Sequence, residues 1–186
     1  MKGFLKMKYF PIEVQKSIFD INFTRLYANG KKIILCDLDN TLIPYSESMP
    51  SKELIEWAEK VKTIGFKLYL FSNNKDTRVL PFSLVLGADG HLASAYKPFI
   101  RRTKQFLKKI DATLAEVVVI GDQFVTDITV AKKIGVDSII VKTIDHKTQK
   151  WYTKINRLRE KWYLKRLKKA RPDLYRLLIE KEIIHE

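Results

Sequence analysis

The sequence has few of the features that mark secreted, disulfide-bonded or membrane-spanning proteins. Its single cysteine, Cys36, excludes an internal disulfide framework, and its place in an apolar run favours a small buried residue over a reactive thiol. No apolar run approaches the roughly 20 residues that cross a bilayer. Lysines and Pro11 interrupt the N-terminal segment before a signal-peptide core develops. These absences predict a cytoplasmic protein, either soluble or bound to a surface.

Acidic residues are scarce relative to basic ones. The chain has 21 Asp and Glu against 35 Lys and Arg, a net charge of +14. The segment from Asp145 to Glu186 holds 13 basic and 6 acidic residues and so carries half of that excess. Such a bias predicts an anionic partner or surface, but composition alone does not separate nucleic acid from phospholipid head groups or phosphorylated metabolites.

Apolar runs and helical patterns alternate along the chain, with no internal repeat and no low-complexity linker. The predicted strands are 33–37, 66–71, 91–95, 117–120 and 138–141, and the predicted helices are 51–64, 76–86, 101–110 and 125–134. This alternation predicts an α/β fold, namely a Rossmann-like, doubly wound and mostly parallel sheet of five strands. Ligands of such sheets bind outside the carboxyl ends of the strands.

Polar residues gather just after these predicted strands. They are Asp37, Asp39 and Thr41 after the first, Ser72, Asn73 and Asn74 after the second, Lys97 after the third, and Asp122 and Asp127 after the fourth. Four carboxylates in one cleft raise one another's pKa unless a cation compensates. Mg²⁺ takes oxygen ligands from a few carboxylates and from substrate phosphate, and Lys97 adds a second positive charge. The pattern therefore predicts phosphoryl transfer, in which one aspartate can be a covalent nucleophile.

Four short segments, "DLDNTL", "SNN", "KP" and "GDQFVTD", occur in this order at the predicted strand ends. Together they resemble the four motifs of the haloacid dehalogenase (HAD) phosphohydrolase superfamily, over roughly residues 33–141. The resemblance implies that Asp37 forms an aspartyl-phosphate and that Asp39 protonates the leaving oxygen and then deprotonates the attacking water. Transport ATPases of the superfamily carry Thr at the position of Asp39, so the aspartate favours a phosphatase.

The same resemblance implies a phosphate-binding set and a metal-binding set. The phosphate-binding residues are Thr41, Ser72, Asn73 and Lys97, and the Mg²⁺ ligands are Asp37, the backbone carbonyl of Asp39, Asp122 and Asp127. Asp127 has two roles open to it, because it can ligate the metal, directly or through water, or position Lys97. Ordinary structural roles compete at several positions. Asn40, Asn73 and Asn74 suit turns, Ser72 suits a cap, and Asp127 suits the first turn of a helix.

The spacing of the motifs leaves no room for a cap domain. Ser72 lies only 33 positions after Asp39, and Lys97 lies 25 positions after Ser72. An open site suits a phosphate carried on something large, such as a protein, a nucleic-acid end, a lipid or a partner subunit. The predicted organisation is a capless phosphatase domain over residues 1–144, followed by a basic, amphipathic helical extension over residues 145–186.

The flanking segments resemble the YqeG family of subclass IIIA phosphatases, whose relatives hydrolyse phosphatidylglycerophosphate. The segment "FPIEVQKSIFDINFTRLYANGKKIILCDLDNTL" and the basic tail carry this resemblance. It implies a short helix and turn over residues 14–26 and a lipid-phosphate substrate. A soluble phosphatase for nucleotide, sugar or protein phosphates is the alternative, and so is a non-catalytic protein that binds RNA or protein.

The basic tail has its own amphipathic pattern. Its apolar positions are Trp151, Ile155, Leu158, Trp162, Leu167, Leu174, Leu177, Leu178 and Ile184. The basic residues Lys154, Arg157, Lys161, Lys165 and Lys168 lie between the first six of them. Such a helix suits a membrane interface rich in anionic lipid. The same stripe suits packing on the domain with solvated lysines, and RNA or a protein is a third partner, although the chain has no recognised nucleic-acid module. Peripheral attachment to the inner face of the membrane is thus an expectation.

Overall fold

Six parallel strands form the single sheet in the computed structural model of the chain, which describes residues 10–145 and 153–184 and the side chains of all of these except 153–159. The strands are β1 (Glu13–Gln15), β2 (Ile33–Cys36), β3 (Lys67–Phe71), β4 (Gly90–Leu92), β5 (Val117–Gly121) and β6 (Asp137–Val141). Their order across the sheet is β1-β6-β5-β2-β3-β4. The predicted α/β class and parallel sheet are confirmed, with one strand more than the predicted five.

The additional strand, β1, lies at the edge of the sheet and pairs with β6, with Val14 opposite Ile140. The expectation of a helix and turn over residues 14–26 is therefore wrong at its start. It holds from Ile18 onward, where a 3₁₀ turn (Ile18–Asp20) and helix α1 (Phe23–Ala28) follow. A strand of only three residues is too short for its alternation to stand out in the sequence. Pairing with the edge strand β6 stabilises β1, although the strand propensity of its three residues does not specify it.

Helices cover both faces of the sheet, as the alternating pattern predicts. Their bounds are α2 (Lys52–Ile64), α3 (Asp76–Leu86), α4 (Arg101–Lys109), α5 (Thr129–Ile134), α6 (Thr153–Ala170) and α7 (Pro172–Glu180). Helix α2 begins and ends at the expected signals, because the Ser51 hydroxyl accepts a bond from the Leu54 N–H and Gly65 closes the helix at φ 113°. The first cluster of the core lies under α1, α2 and α3, and the second lies under α4 and α5.

The chain reverses its direction across the sheet between β2 and β5. From β2 it proceeds outward to β3 and β4, and it then crosses to β5 and β6 on the other side. A crevice opens at such a reversal, above the carboxyl ends of the two central strands. Between Asp39 and Ser72 the only helix is α2, and between Ser72 and Lys97 the only helix is α3. Within residues 39–97, all of which the structure describes, no cap domain covers the crevice, as the spacing predicts.

The tail packs its apolar side against the β1–β6 edge of the sheet. Leu167, Leu174, Leu178 and Ile184 are buried in one cluster with Val14, Phe124, Ile128 and Ile140. Of the three interpretations of the tail, packing on the domain therefore holds for Leu167, Leu174, Leu178 and Ile184. Trp151, Ile155, Leu158, Lys154 and Arg157 lie outside the described side chains. Trp162 is 60% exposed. The division of the chain at residue 145 stays a prediction.

The helix predicted over residues 125–134 begins with a wider turn than expected. Residues Phe124–Ile128 form a π turn, in which the Ile128 N–H donates to the Gln123 carbonyl, and α5 follows from Thr129. Such turns inside helices often occur at functional sites. This turn buries Asp127 close above the end of β5, and a Cβ on Gly121 would lie 2.5 Å from Asp127 Oδ2. Gly121 is thus required by the close approach of the Asp127 carboxyl group.

We expect Gly121→Ala to destabilise the protein by about 1–3 kcal/mol, because the added methyl group must displace the Asp127 carboxyl group. Urea denaturation measures this loss. In an Asp127→Ala background the same substitution should cost distinctly less, since the atoms that it meets are gone. Equal costs in the two backgrounds would show that Asp127 does not set the requirement for glycine.

Candidate active site

The strand ends bring the predicted site residues to one edge of the sheet. Asp37 directly follows β2, and its N–H donates to the Ile120 carbonyl at 2.9 Å, which fixes it beside β5. Ser72 follows β3, Lys97 lies in the loop after β4, and Asp122 follows β5. This is the clustering that the exit positions of parallel strands predict.

The Lys97 ammonium group lies at the centre of the cluster. It donates to Asp37 Oδ1 at 2.6 Å, to Asp127 Oδ1 at 2.7 Å and to the Phe71 carbonyl at 2.7 Å. An ammonium group has three N–H donors, so all of them are satisfied although the residue is only 6% exposed. Asn73 holds the backbone of the same residue, because its Oδ1 accepts from the Lys97 N–H at 2.6 Å and its Nδ2 donates to the Lys97 carbonyl at 3.1 Å.

Three buried carboxyl groups, those of Asp37, Asp122 and Asp127, form the acidic part of the site. Each offers an oxygen, and these oxygens lie within 4.8 Å of one another. The Thr41 hydroxyl lies 3.4 Å from an oxygen of Asp37 and 3.4 Å from an oxygen of Asp122. Several hard oxygen donors at this spacing fit a divalent cation such as Mg²⁺, which prefers carboxylate ligands and substrate phosphate.

Burial governs the charge state of these groups. Burial, opposed by the nearby Lys97 ammonium, raises the pKa of Asp37 to about 7. Burial also raises the pKa of Asp122 well above its usual range, and the charge of Asp37 adds to this. Burial lowers the pKa of Lys97, but the charges of Asp127 and Asp37 outweigh burial and raise it overall. Added positive charge would thus favour the ionised form of both acids.

Cys36 sits just before Asp37 and is fully buried, which confirms the structural interpretation of this cysteine. Burial, together with the charge of Asp37, raises the pKa of its thiol well above the usual value. A thiolate is the nucleophilic form of cysteine, so the raised pKa disfavours a nucleophilic role, and the side chain packs in the core of the sheet.

The Asp39 carboxylate points to a different set of partners. Arg78 donates from Nε to Asp39 Oδ1 at 2.7 Å, with its Nη2 2.5 Å from the same oxygen, and Asn74 Nδ2 lies 2.5 Å from Oδ2. Arg78 Nη2 also donates to the carbonyls of Tyr45 at 3.0 Å and Glu47 at 2.9 Å. Arg78 thereby joins α3, the loop after β2 and the Asp39 side chain.

Ser72 and Asn40 fill structural roles in the loops of the site. The Ser72 hydroxyl is buried and accepts from the Asn74 N–H at 3.1 Å, so it closes the turn after β3 and does not cap α3. Asn40 adopts a φ of 64°, a left-handed conformation that asparagine tolerates well, and it turns the chain after Asp39. Phosphate binding by Thr41, Ser72, Asn73 and Lys97 stays a prediction.

Sequence reasoning missed two residues that contact the predicted acids. Arg78 lies on α3 and is one of the 35 Lys and Arg residues of the chain. Its contact with Asp39 joins positions 39 residues apart, which no local pattern reports. Thr143 donates from Oγ1 to Asp122 Oδ2 at 2.9 Å. It lies just after β6, so the rule of strand exits applied to the last strand would have found it.

Comparisons with known proteins identify the family of the chain. A model of the HAD-hydrolase-like family matches residues 95–170. The probable phosphatase YqeG of Bacillus subtilis (strain 168) is 33% identical over 165 residues, which are 89% of this chain and 95% of that protein.

Two solved structures share the fold. One is an uncharacterized protein from Listeria monocytogenes serotype 4b, with a TM-score of 0.51, 19% identity, and coverage of 64% of this chain and 85% of that one. The other is the 3-deoxy-D-manno-octulosonate 8-phosphate phosphatase from Yersinia pestis, with a TM-score of 0.51, 12% identity, and coverage of 68% and 71%. At these low identities the two structures show only the fold. The family is shown by the 33% identity to the Bacillus protein over nearly its whole length. The chain belongs to the YqeG-like phosphatases of the HAD superfamily.

Proposed function

We propose that the protein is a Mg²⁺-dependent phosphomonoesterase that works through an aspartyl-phosphate on Asp37. The observation that carries this proposal is the buried contact of the Lys97 ammonium with Asp37 and Asp127, with Asp122 beside them. If all three carboxyl groups are ionised, the one ammonium group leaves two negative charges of the site without a partner. A bound divalent cation would supply the missing positive charge. The negative oxygens of a phosphoryl group would then interact with both the cation and the Lys97 ammonium group.

Asp37 is the nucleophile in this proposal. One of its carboxylate oxygens forms a bond to phosphorus while the bond from phosphorus to the leaving oxygen breaks, and water then releases phosphate from the acyl phosphate. The group must be ionised to attack. Lys97 at 2.6 Å favours the carboxylate form against the effect of burial.

Asp39 is the proposed general acid and base. It gives a proton to the leaving oxygen and later removes one from the attacking water. Arg78 and Asn74 occupy both of its oxygens. We propose that these two residues fix the orientation of the carboxyl group, and that Arg78 is a positioning residue that links it to the loop after β2.

Mg²⁺ is the proposed metal, held by Asp37, Asp122 and Asp127 and by the backbone carbonyl of Asp39. When bound, it would neutralise charge on the phosphoryl oxygens. Thr41 and Thr143 donate hydrogen bonds to the carboxylates and keep them oriented. Asp127 serves two neighbours, since its Oδ1 accepts from Lys97 and its Oδ2 accepts from the Gln123 N–H.

A lipid phosphate such as phosphatidylglycerophosphate is the proposed substrate. No cap domain encloses the crevice, so a phosphate on a large carrier can reach it. Basic residues outnumber acidic ones by 14, which suits an anionic surface. None of the helices in the described residues is long and apolar enough to cross a membrane. The basic excess leads us to propose peripheral attachment at the inner face of the membrane.

The test of the proposed function is a phosphate-release assay with Mg²⁺ on an aryl phosphate and on vesicles that contain phosphatidylglycerophosphate. We expect release from both, with higher kcat/KM for the lipid. Asp37→Asn should lower kcat by about a thousandfold or more, because it removes the nucleophile. Release from soluble nucleotide, sugar or protein phosphates only would identify a soluble phosphatase. No release from any substrate would contradict the catalytic proposal.

Mg²⁺ should raise the melting temperature, and by more at pH 8 than at pH 6. The raised pKa of Asp37, about 7, means that the metal-free fold holds a proton there below that pH, and a protonated carboxyl group is a poor ligand. The metal-free protein loses stability as the pH rises from the ordinary aspartate pKa of 3.8 through this raised pKa, and metal binding relieves the loss. Differential scanning fluorimetry measures the shift. It should be lost in Asp122→Asn, and a shift that falls with pH would contradict the assigned metal site.

Arg78→Met should lower kcat by about 10- to 100-fold and change KM little, because the acid and base of the reaction loses its fixed orientation. Steady-state kinetics on the aryl phosphate measures both parameters. In an Asp39→Asn background the same change should have little further effect, since Arg78 acts through Asp39. Arg25→Met is the matched control, because Arg25 forms an exposed ion pair with Glu13 away from the site. Additive losses from Asp39 and Arg78 would contradict the positioning role.

A further inference from the structure

Exposed apolar side chains lie in the strand-exit loops on the same edge of the sheet as the active site. Tyr96 is 60% exposed and Phe99 is 72% exposed in the loop after β4. Met49, in the loop after β2, and Ile144, after β6, are also exposed. Exposed apolar side chains that gather around a site mark a contact with a partner or a membrane more often than isolated ones do.

Tyr96 and Phe99 also line an open groove with the first turns of helix α4. The groove encloses about 780 Å³ and is lined by Ala95, Tyr96, Phe99, Arg101, Arg102 and Gln105. The Arg102 guanidinium lies 5.4 Å from the centre of the Tyr96 ring. This lining combines two aromatic rings with two guanidinium groups and contains no acidic residue. We call Tyr96, Phe99, Arg101 and Arg102 the aromatic–arginine surface.

This surface is structurally tied to the catalytic lysine. Tyr96 and Phe99 flank Lys97, and the Phe99 N–H donates to the Tyr96 carbonyl at 2.8 Å, which closes a turn. Asn73 holds the backbone of Lys97 from inside, and Lys133 Nζ donates to the Pro98 carbonyl at 3.0 Å from outside. Tyr96 and Phe99 therefore belong to a loop that hydrogen bonds hold in place, and Lys97 of the same loop contacts Asp37.

The described part of the tail has one exposed ring, Trp162, with the Arg166 guanidinium 4.6 Å from its centre, but this pair lies on α6 and not in a strand-exit loop. Most of the tail's apolar side is buried. Leu167, Leu174 and Leu178 are at most 5% exposed, because they pack on the β1–β6 edge. Exposed Leu84 and Val85 lie at the C-terminal end of α3, which runs away from the site. The aromatic–arginine surface thus joins exposed rings, positive charge and nearness to Lys97.

We propose that the aromatic–arginine surface docks on a bilayer that contains anionic lipid and so brings a lipid phosphate to Lys97 and Asp37. Aromatic rings favour the interface between head groups and acyl chains, and guanidinium groups pair with lipid phosphates. Two observations favour an anionic bilayer as the partner of this surface. Its guanidinium groups complement the negative charge of the lipid, and its rings lie next to Lys97 in the chain. The inference rests on the proposed lipid substrate, but it concerns binding, which can be measured without turnover.

The test is co-sedimentation of the full chain with phosphatidylcholine vesicles, with and without phosphatidylglycerol. We expect binding only when phosphatidylglycerol is present. Phe99→Ser should weaken this binding by about tenfold or more, because it removes a ring from the interface. Arg101→Glu with Arg102→Glu should weaken it by at least about 25-fold, about fivefold for each basic residue lost. Hydrolysis of a soluble aryl phosphate should stay within about twofold of wild type in all these variants.

Two matched controls should bind vesicles as wild type does. Leu84→Ser removes an apolar side chain that is as exposed as Phe99, at 72%. Lys52→Glu reverses a charge on a side chain that is 92% exposed, at the start of α2. A loss in the controls that equals the loss in the surface variants would show general charge or stability effects and would overturn the proposal.

The outcomes separate this proposal from the proposed function. Vesicle binding that depends on the surface, without hydrolysis of lipid phosphate, would support the docking surface and contradict the lipid substrate. Lipid hydrolysis with vesicle binding that is unchanged in Phe99→Ser and in the double arginine variant would overturn the docking surface and leave the function standing. Binding of a single-stranded RNA, lost in the same variants and without any vesicle binding, would overturn the proposal in favour of nucleic acid.

Discussion

The contact of the Lys97 ammonium with Asp37 and Asp127 is the interaction on which the geometry of the site depends. It joins the exits of β2, β4 and β5 in one buried ion cluster. A buried charge that loses its partner costs about 3–5 kcal/mol, so each member of the cluster constrains the others. The constraint extends into the fold, since Gly121 leaves space for the Asp127 carboxyl group and the π turn at Phe124–Ile128 presents it. Asn73 fixes the backbone of Lys97 on the other side.

The charge of this cluster connects the fold to its proposed chemistry. Three carboxyl groups share a buried space with one ammonium group, and the pKa of Asp37 and that of Asp122 are both raised by burial. A cation bound among these carboxyl groups would stabilise their ionised forms. The proposed reaction needs this property, because the site has to bind a metal ion and then a phosphoryl group. Asp39 does not belong to this cluster of charges, because its carboxylate forms an ion pair with Arg78. The two aspartates of "DLDNTL" therefore occupy different electrostatic environments although one residue separates them.

Most of the sheet and the position of the site could be predicted from the sequence, because both depend on short-range patterns. Apolar runs mark the central strands, and parallel strands place their exits on one edge, so Asp37, Lys97 and Asp122 could be brought together without coordinates. Strand β1 could not be recognised, since three residues carry no clear period and the edge of β6 defines them. Arg78 could not be recognised either, since only the tertiary fold brings α3 to Asp39. The sequence did not decide what the apolar side of the tail contacts, because an apolar stripe has the same pattern whether it packs on its own domain or on a membrane.

The identity of the nucleophile is the central claim, and trapping of the phosphorylated protein tests it most directly. Acid quench during turnover, followed by borohydride reduction, converts an acyl-phosphorylated aspartate into homoserine, which peptide mass spectrometry can locate. The account predicts homoserine at position 37 and at no other aspartate, with none formed when substrate is left out. Homoserine at position 39, 122 or 127, or turnover without any reduced aspartate, would contradict it.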